Sequence, residues 1–176
     1  MKNSLLTLKN ISKTYYTKDK EITAIDNISL EKKTSGSIQK SYEDVKISYM
    51  FQSDCLFPWL TILDNCLLGL KIKHELTNEN KEYVIRLLSN YGLKDFMDSY
   101  PNNLSGGMRQ RVALIRTLAT NPDILLLDEP FSALDFDTRL LIADDVYQII
   151  KEEKKTAIII THDIEEAIYI LRATII

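Results

Sequence analysis

LSGGMRQRVALIRTLATNPDILLLDEP, residues 104–130, decides how this 176-residue chain folds. Its first half reads as a helix and its second as a buried strand. Ser105 is a residue type that caps helix N-termini, so a helix over Gly106–Ala119 is expected, with Pro122 marking its exit. ILLLD at 124–128 is a short continuous apolar run, the pattern of a parallel strand covered on both faces. AIIIT at 157–161 repeats that pattern. Between the two runs, Ile142, Val146, Ile149 and Ile150 give Asp137–Lys151 an apolar stripe at helical spacing. Strand, helix and strand in this order predict an α/β fold with a parallel sheet.

Upstream, Leu5–Ile11 and Ala24–Leu30 read as strands, with the polar stretch Tyr15–Glu21 as a hairpin loop between them. Val45–Phe51 reads as a third strand with Gln52 at its end. The texture then changes. Leu60–Leu70 is strongly apolar, and Val84, Leu87, Leu88 and Tyr91 recur at helical spacing before Gly92, a residue that stops helices. The expected organisation is a discontinuous core, 1–52 and 101–176, interrupted by a helical subdomain at 53–100.

Composition narrows the function. Twenty-two Lys and Arg against 25 Asp and Glu leave a net charge of −3, which offers no basic field for nucleic acid. No apolar run approaches the length of about 20 residues that a membrane-spanning helix needs. Cys55 and Cys66 form no CxxC and read as packing residues of a protein kept in a reducing compartment.

The chemistry-bearing residues stand at strand ends and helix starts. Asp128 and Glu129 close a buried strand, where α/β sheets bind ligands; an acid there can hold Mg²⁺ through water while its neighbour polarises an attacking water. The same two acids also read as a solvated strand-end turn. Ser105-Gly106-Gly107 places free N–H groups and a closely approachable backbone at a helix N-terminus, an anion site, or simply a flexible cap. His162 follows the strand AIIIT and can reach the same end of the sheet, whereas His74, among Lys71, Lys73 and Glu75, reads as a bystander. Gln52 can bridge a metal or water, and Tyr15 can stack on a base or stand as an ordinary loop tyrosine.

Gln52, LSGGM at 104–108, ILLLDE at 124–129, SALD at 132–135 and His162, in that order, resemble the ATP-binding subunits of ABC transporters over nearly the whole chain. The resemblance implies a P-loop NTPase-like core with a helical subdomain. It implies ATP and Mg²⁺ as cofactors, membrane permease subunits and a second ATP-binding subunit as partners, and a cytoplasmic position at the inner face of the membrane. It makes Tyr15 the adenine-stacking aromatic and Gln52 the sensor of metal and permease. Ser105, Gly106 and Gly107 become the contact to the γ-phosphate held by the opposite subunit, and Asp135 the dimer contact. Asp128 becomes the metal-side acid, Glu129 the catalytic carboxylate and His162 the switch histidine. LFPWLTILDN at 56–65 and LDEPFSALDFDTR at 127–139 are similar to importers of the nitrate, sulfonate and taurine group.

One expected part is missing. A phosphate loop ends in Gly-Lys-Ser/Thr, and no glycine of this chain is followed by lysine. ISLE at 28–31 resembles the strand before that loop and TSGSI at 34–38 the strand after its helix, with only Lys32 and Lys33 between. The expectation is a fold that lacks one central strand-loop-helix unit of roughly 30 residues. THDIEEAIYI resembles the family through Ile170, and LRATII departs from it, the expectation being a truncated frame. Three readings stay open: an importer subunit defective in its own ATP binding and hydrolysis, a non-catalytic partner that completes an intact subunit's site in trans, or a non-functional product. A soluble relative acting on DNA or ribosomes is disfavoured by the acidic charge.

Overall fold

The computed structural model describes residues 6–16, 21–26, 35–40, 45–132, 134 and 136–163. The chain divides into two units, Met1–Val45 and Lys46–Ile176. In the first, β1 (Leu6–Tyr16), β2 (Glu21–Asp26) and β3 (Ser35–Lys40) form an antiparallel sheet in the order β2-β1-β3. Tyr15 pairs with Ile22 and Tyr16 with Glu21, so β1 runs through the start of the expected hairpin loop. Thr14, Tyr15 and Tyr16 are strand-favouring types, and that preference outweighs the polar character of the residues after them. TSGSI supplies most of β3. The expected strand at ISLE lies outside the described residues.

The second unit contains β4 (Ile47–Met50), α1 (Ile62–Ile72), α2 (Asn78–Asn90), α3 (Gly106–Leu118), β5 (Ile124–Asp128), α4 (Phe136–Glu152) and β6 (Thr156–Ile160). Single 3-10 turns at Lys94–Phe96 and Pro101–Asn103 link α2 to α3. The helices start where the sequence supplies caps. Thr61, Thr77 and Ser105 accept the N–H of Asp64, Asn80 and Met108, respectively. Gly92 ends the α2 turn at φ 74°, a left-handed conformation that glycine adopts without a Cβ clash.

The sheet is parallel in the order β4-β5-β6. Asp123 fixes the β4–β5 register from both sides. Its N–H donates to the Lys46 carbonyl at 2.9 Å, and its carboxylate accepts the Lys46 N–H at 2.9 Å. Register then sorts side chains into rows. Met50, Leu127 and Ile159 stand side by side, as do Ser48, Leu125 and Ala157. These rows meet the core built by α1, α2, α3 and α4, around Ile62, Leu87, Leu88, Leu114, Ile115, Phe131 and Val146. The alternate row, Tyr49, Leu126 and Ile158, points to the other face and is only partly buried. No described helix is long and apolar enough to cross a membrane.

Candidate functional site

The parallel register brings the site together. Met50 is level with Leu127, so Gln52, two residues past β4, comes level with Glu129, one residue past β5. Asp128 is level with Ile160, which sets His162 just beyond the same sheet end. There, Gln52 Nε2 donates to Glu129 Oε2 at 2.7 Å, and His162 Nδ1 lies 2.9 Å from Glu129 Oε1. Both carboxylate oxygens of Glu129 are therefore engaged by side chains from two neighbouring strand ends.

Glu129 occupies an uncommon backbone conformation. Its φ is 43°, in the left-handed region, where a side chain carries a steric cost of about 1–2 kcal/mol. Its N–H donates to the Ile160 carbonyl at 2.7 Å, while its own carbonyl accepts the N–H and the hydroxyl of Ser132, each at 3.1 Å. The turn thus swings the chain off β5 and leaves the carboxylate at the sheet end.

Asp128 has a partner that sequence reading did not single out. The Tyr49 hydroxyl donates to Asp128 Oδ2. Tyr49 lies on β4 level with Leu126, and Asp128 is two residues further along β5, so both point to one face. Asp163 is another omission. Arg139 Nη1 reaches Asp163 Oδ2 at 2.7 Å, and its Nη2 donates to the Leu134 carbonyl at 3.1 Å. That guanidinium joins α4, the loop after Glu129 and the residue after His162.

Ser105, Gly106 and Gly107 open α3 as expected, and they share no hydrogen bond with the Gln52–Glu129–His162 cluster among the described residues. A Cβ on Gly106 would stand 3.2 Å from Leu134 Cδ2, which explains the need for a small residue there. The arginines of α3 grip the loop after Gln52 instead. Arg109 Nε pairs with Asp54 Oδ2 at 3.0 Å, and Arg116 donates to the Asp54 and Cys55 carbonyls, each at 2.7 Å. Buried Asn65 on α1 closes the far side of that loop: it accepts the Phe57 N–H at 2.8 Å and donates to the carbonyls of Phe57, Leu60 and Thr61. Tyr15 belongs to β1 of the first unit, and Asp135 lies outside the described residues.

The family model described as ABC transporter matches residues 6–132. The chain belongs to the ABC transporter family. An uncharacterized ABC transporter ATP-binding protein of Bacillus subtilis is 55% identical over 130 residues, which are 74% of this chain and 50% of that protein. The taurine import ATP-binding protein of Rhizobium johnstonii is 46% identical over 121 residues, 69% of this chain and 45% of that protein. The chain spans about half the length of these curated relatives. Among solved structures, a dimeric ATP-binding cassette in a post-hydrolysis state, bound to ADP and Pi, superposes with a TM-score of 0.64. It is 30% identical, with 93% of this chain and 90% of that one covered.

The residues present fit only one side of the ligand that this ABC transporter family implies. Asp128, Glu129, Gln52 and His162 converge at the sheet end where a metal-bound water and a γ-phosphate would lie. No three His, Cys, Asp or Glu side chains gather into a metal cage among the described residues, so a metal there needs ligands from a bound phosphate. The phosphate side lacks its donor set, because no glycine is followed by lysine. MgATP therefore does not fit this site as it stands.

Proposed function

We propose that this chain is an ATP-binding subunit of an ABC importer for nitrate-, sulfonate- or taurine-like anions, defective in its own ATP binding and hydrolysis. The carrying observation is the contrast between an assembled Gln52–Glu129–His162 cluster and a sequence with no Gly-Lys-Ser/Thr. Likeness to the taurine import protein supports an anion. A glycine betaine/proline betaine transport ATP-binding protein of Escherichia coli, 40% identical over 146 residues, widens the field to zwitterions.

In this reading the fold lacks the strand-loop-helix unit between Glu31 and Thr34. That unit would supply the backbone N–H cradle, the phosphate lysine and the Ser/Thr metal ligand. Tyr15 stacking would add about 1–3 kcal/mol, whereas even millimolar affinity needs about 4 kcal/mol. Residues 53–100 form the helical subdomain of a core made from 1–52 and 101–176. Phe51, Phe57 and Trp59 are exposed beside Gln52 and suit contact with a membrane permease subunit, the chain sitting on the cytoplasmic side.

A thermal melt with and without MgATP tests the defect. A ligand at 100 times its dissociation constant adds about 2.7 kcal/mol of stability. The expected result is a cooperative melt with no shift, and a clear upward shift, or hydrolysis by contaminant-free protein, overturns it.

A second reading rests on the capped, glycine-opened start of α3. Ser105–Gly107 can complete the ATP site of an intact subunit in trans, even where this chain's own site is empty of phosphate donors. Mixing with an intact subunit tests it: restored ATPase activity in a signature-deficient subunit supports complementation, and no restoration removes it.

A further inference from the structure

We propose that the outer edge of β6 is a self-association surface, on which β6 of a second copy of this chain docks antiparallel about a two-fold axis through Ile158. Among the described residues, β6 pairs with β5 alone, at the end of the order β4-β5-β6. Its sequence is TAIII, without charge, proline or glycine. A continuous apolar run of this kind belongs to a strand with neighbours on both sides and cover on both faces. Here the central strand β5 is largely buried, whereas Ala157, Ile158, Ile159 and Ile160 are each partly exposed. Ala157 and Ile159 meet the helical core, so Ile158 and Ile160 lie on the more open face. The strand carries none of the lysines, prolines or bulges with which proteins guard an exposed edge.

Charge selects the occupant and its direction. Lys154 and Lys155 precede the strand, and Asp163 follows it. A parallel neighbour would stack lysines on lysines. An antiparallel second copy brings Lys155 diagonal to the partner's Asp163, while the uncharged strands pair along their length. The resulting six-stranded sheet is isologous and closed, as a two-fold contact requires. It uses neither Ser105–Gly107 nor the Gln52–Glu129–His162 cluster, so it needs no nucleotide and stands independently of the proposed function.

Sedimentation velocity over a wide concentration range, without nucleotide, tests the surface. The wild-type chain is expected to dimerise. Ile158→Lys and Ile158→Glu each place like charges opposite one another at the axis, and each is expected to weaken dimerisation by at least about tenfold. An equimolar mixture of the two variants is expected to restore dimers. Far-UV circular dichroism checks that both variants keep their helices, and hydrogen exchange at Ala157–Ile160 in the wild-type chain is expected to slow as concentration rises. A wild-type monomer at every concentration, dimers that ignore both charges, a mixture that stays monomeric, or dimers that form only with MgATP would each overturn the proposal.

Discussion

The two cysteines sit in opposite environments and should behave oppositely. Cys55 is exposed, while Cys66 is fully buried, its thiol donating to the Val112 carbonyl at 3.8 Å. Burial pushes the Cys66 thiol up to about 12 from its ordinary 9.0, against a smaller opposing pull from the Arg116 charge. At neutral pH, a thiol reagent should label one cysteine quickly and the second only on unfolding. The sign of the pH effect follows from which state holds the proton. Above about pH 9 the unfolded chain loses the Cys66 proton while the folded chain keeps it, so stability should fall as pH rises from there; denaturation midpoints at pH 8 and 10 measure this. Asn65 is the polar counterpart. Asn65→Ala removes all four bonds to the Phe57–Thr61 loop and leaves buried backbone groups without partners. It should cost roughly 2–4 kcal/mol in urea unfolding. The exposed Asp64–Lys71 pair, at 2.6 Å, should contribute under about 1 kcal/mol.

Helix ends separate local from long-range causes. Ser105→Ala removes the acceptor for the Met108 N–H and should cost about 1 kcal/mol. Gly92→Ala has room, its added Cβ reaching Arg111 Nη1 at an ordinary 3.6 Å, yet the left-handed φ should still cost about 1 kcal/mol. Both losses should appear in chemical unfolding without changing which helices form. Such features were readable in sequence because they are local: Ser105 and Gly92 fix α3 and α2 within a residue or two of expectation. ILLLD and the run beginning at Ala157 likewise became parallel neighbours, because their continuous apolar pattern suits little else. Tyr49 and Asp163 were not readable. Tyr49 meets Asp128 only once the β4–β5 register is known, and Arg139 reaches Asp163 across 24 positions of sequence. The end of β1 was misjudged for a different reason, since pairing with β2 outweighs local polarity at Tyr15 and Tyr16.

Within Lys46–Ile176, stability should grade across the parallel sheet. Hydrogen exchange should be slowest in β5, flanked by strands on both sides, and faster in β6 of the dilute chain. Equal protection in the two strands would contradict that gradient. The same unit carries an optical consequence. Trp59 is the sole tryptophan, 70% exposed, with its ring centroid 5.2 Å from that of Phe57. Its emission therefore reports one loop tip already in contact with water. Unfolding should shift its wavelength little, whereas circular dichroism follows the four helices. A fluorescence melt that looks flat would reflect where the only indole stands, and quenching by iodide should be strong before any denaturant is added.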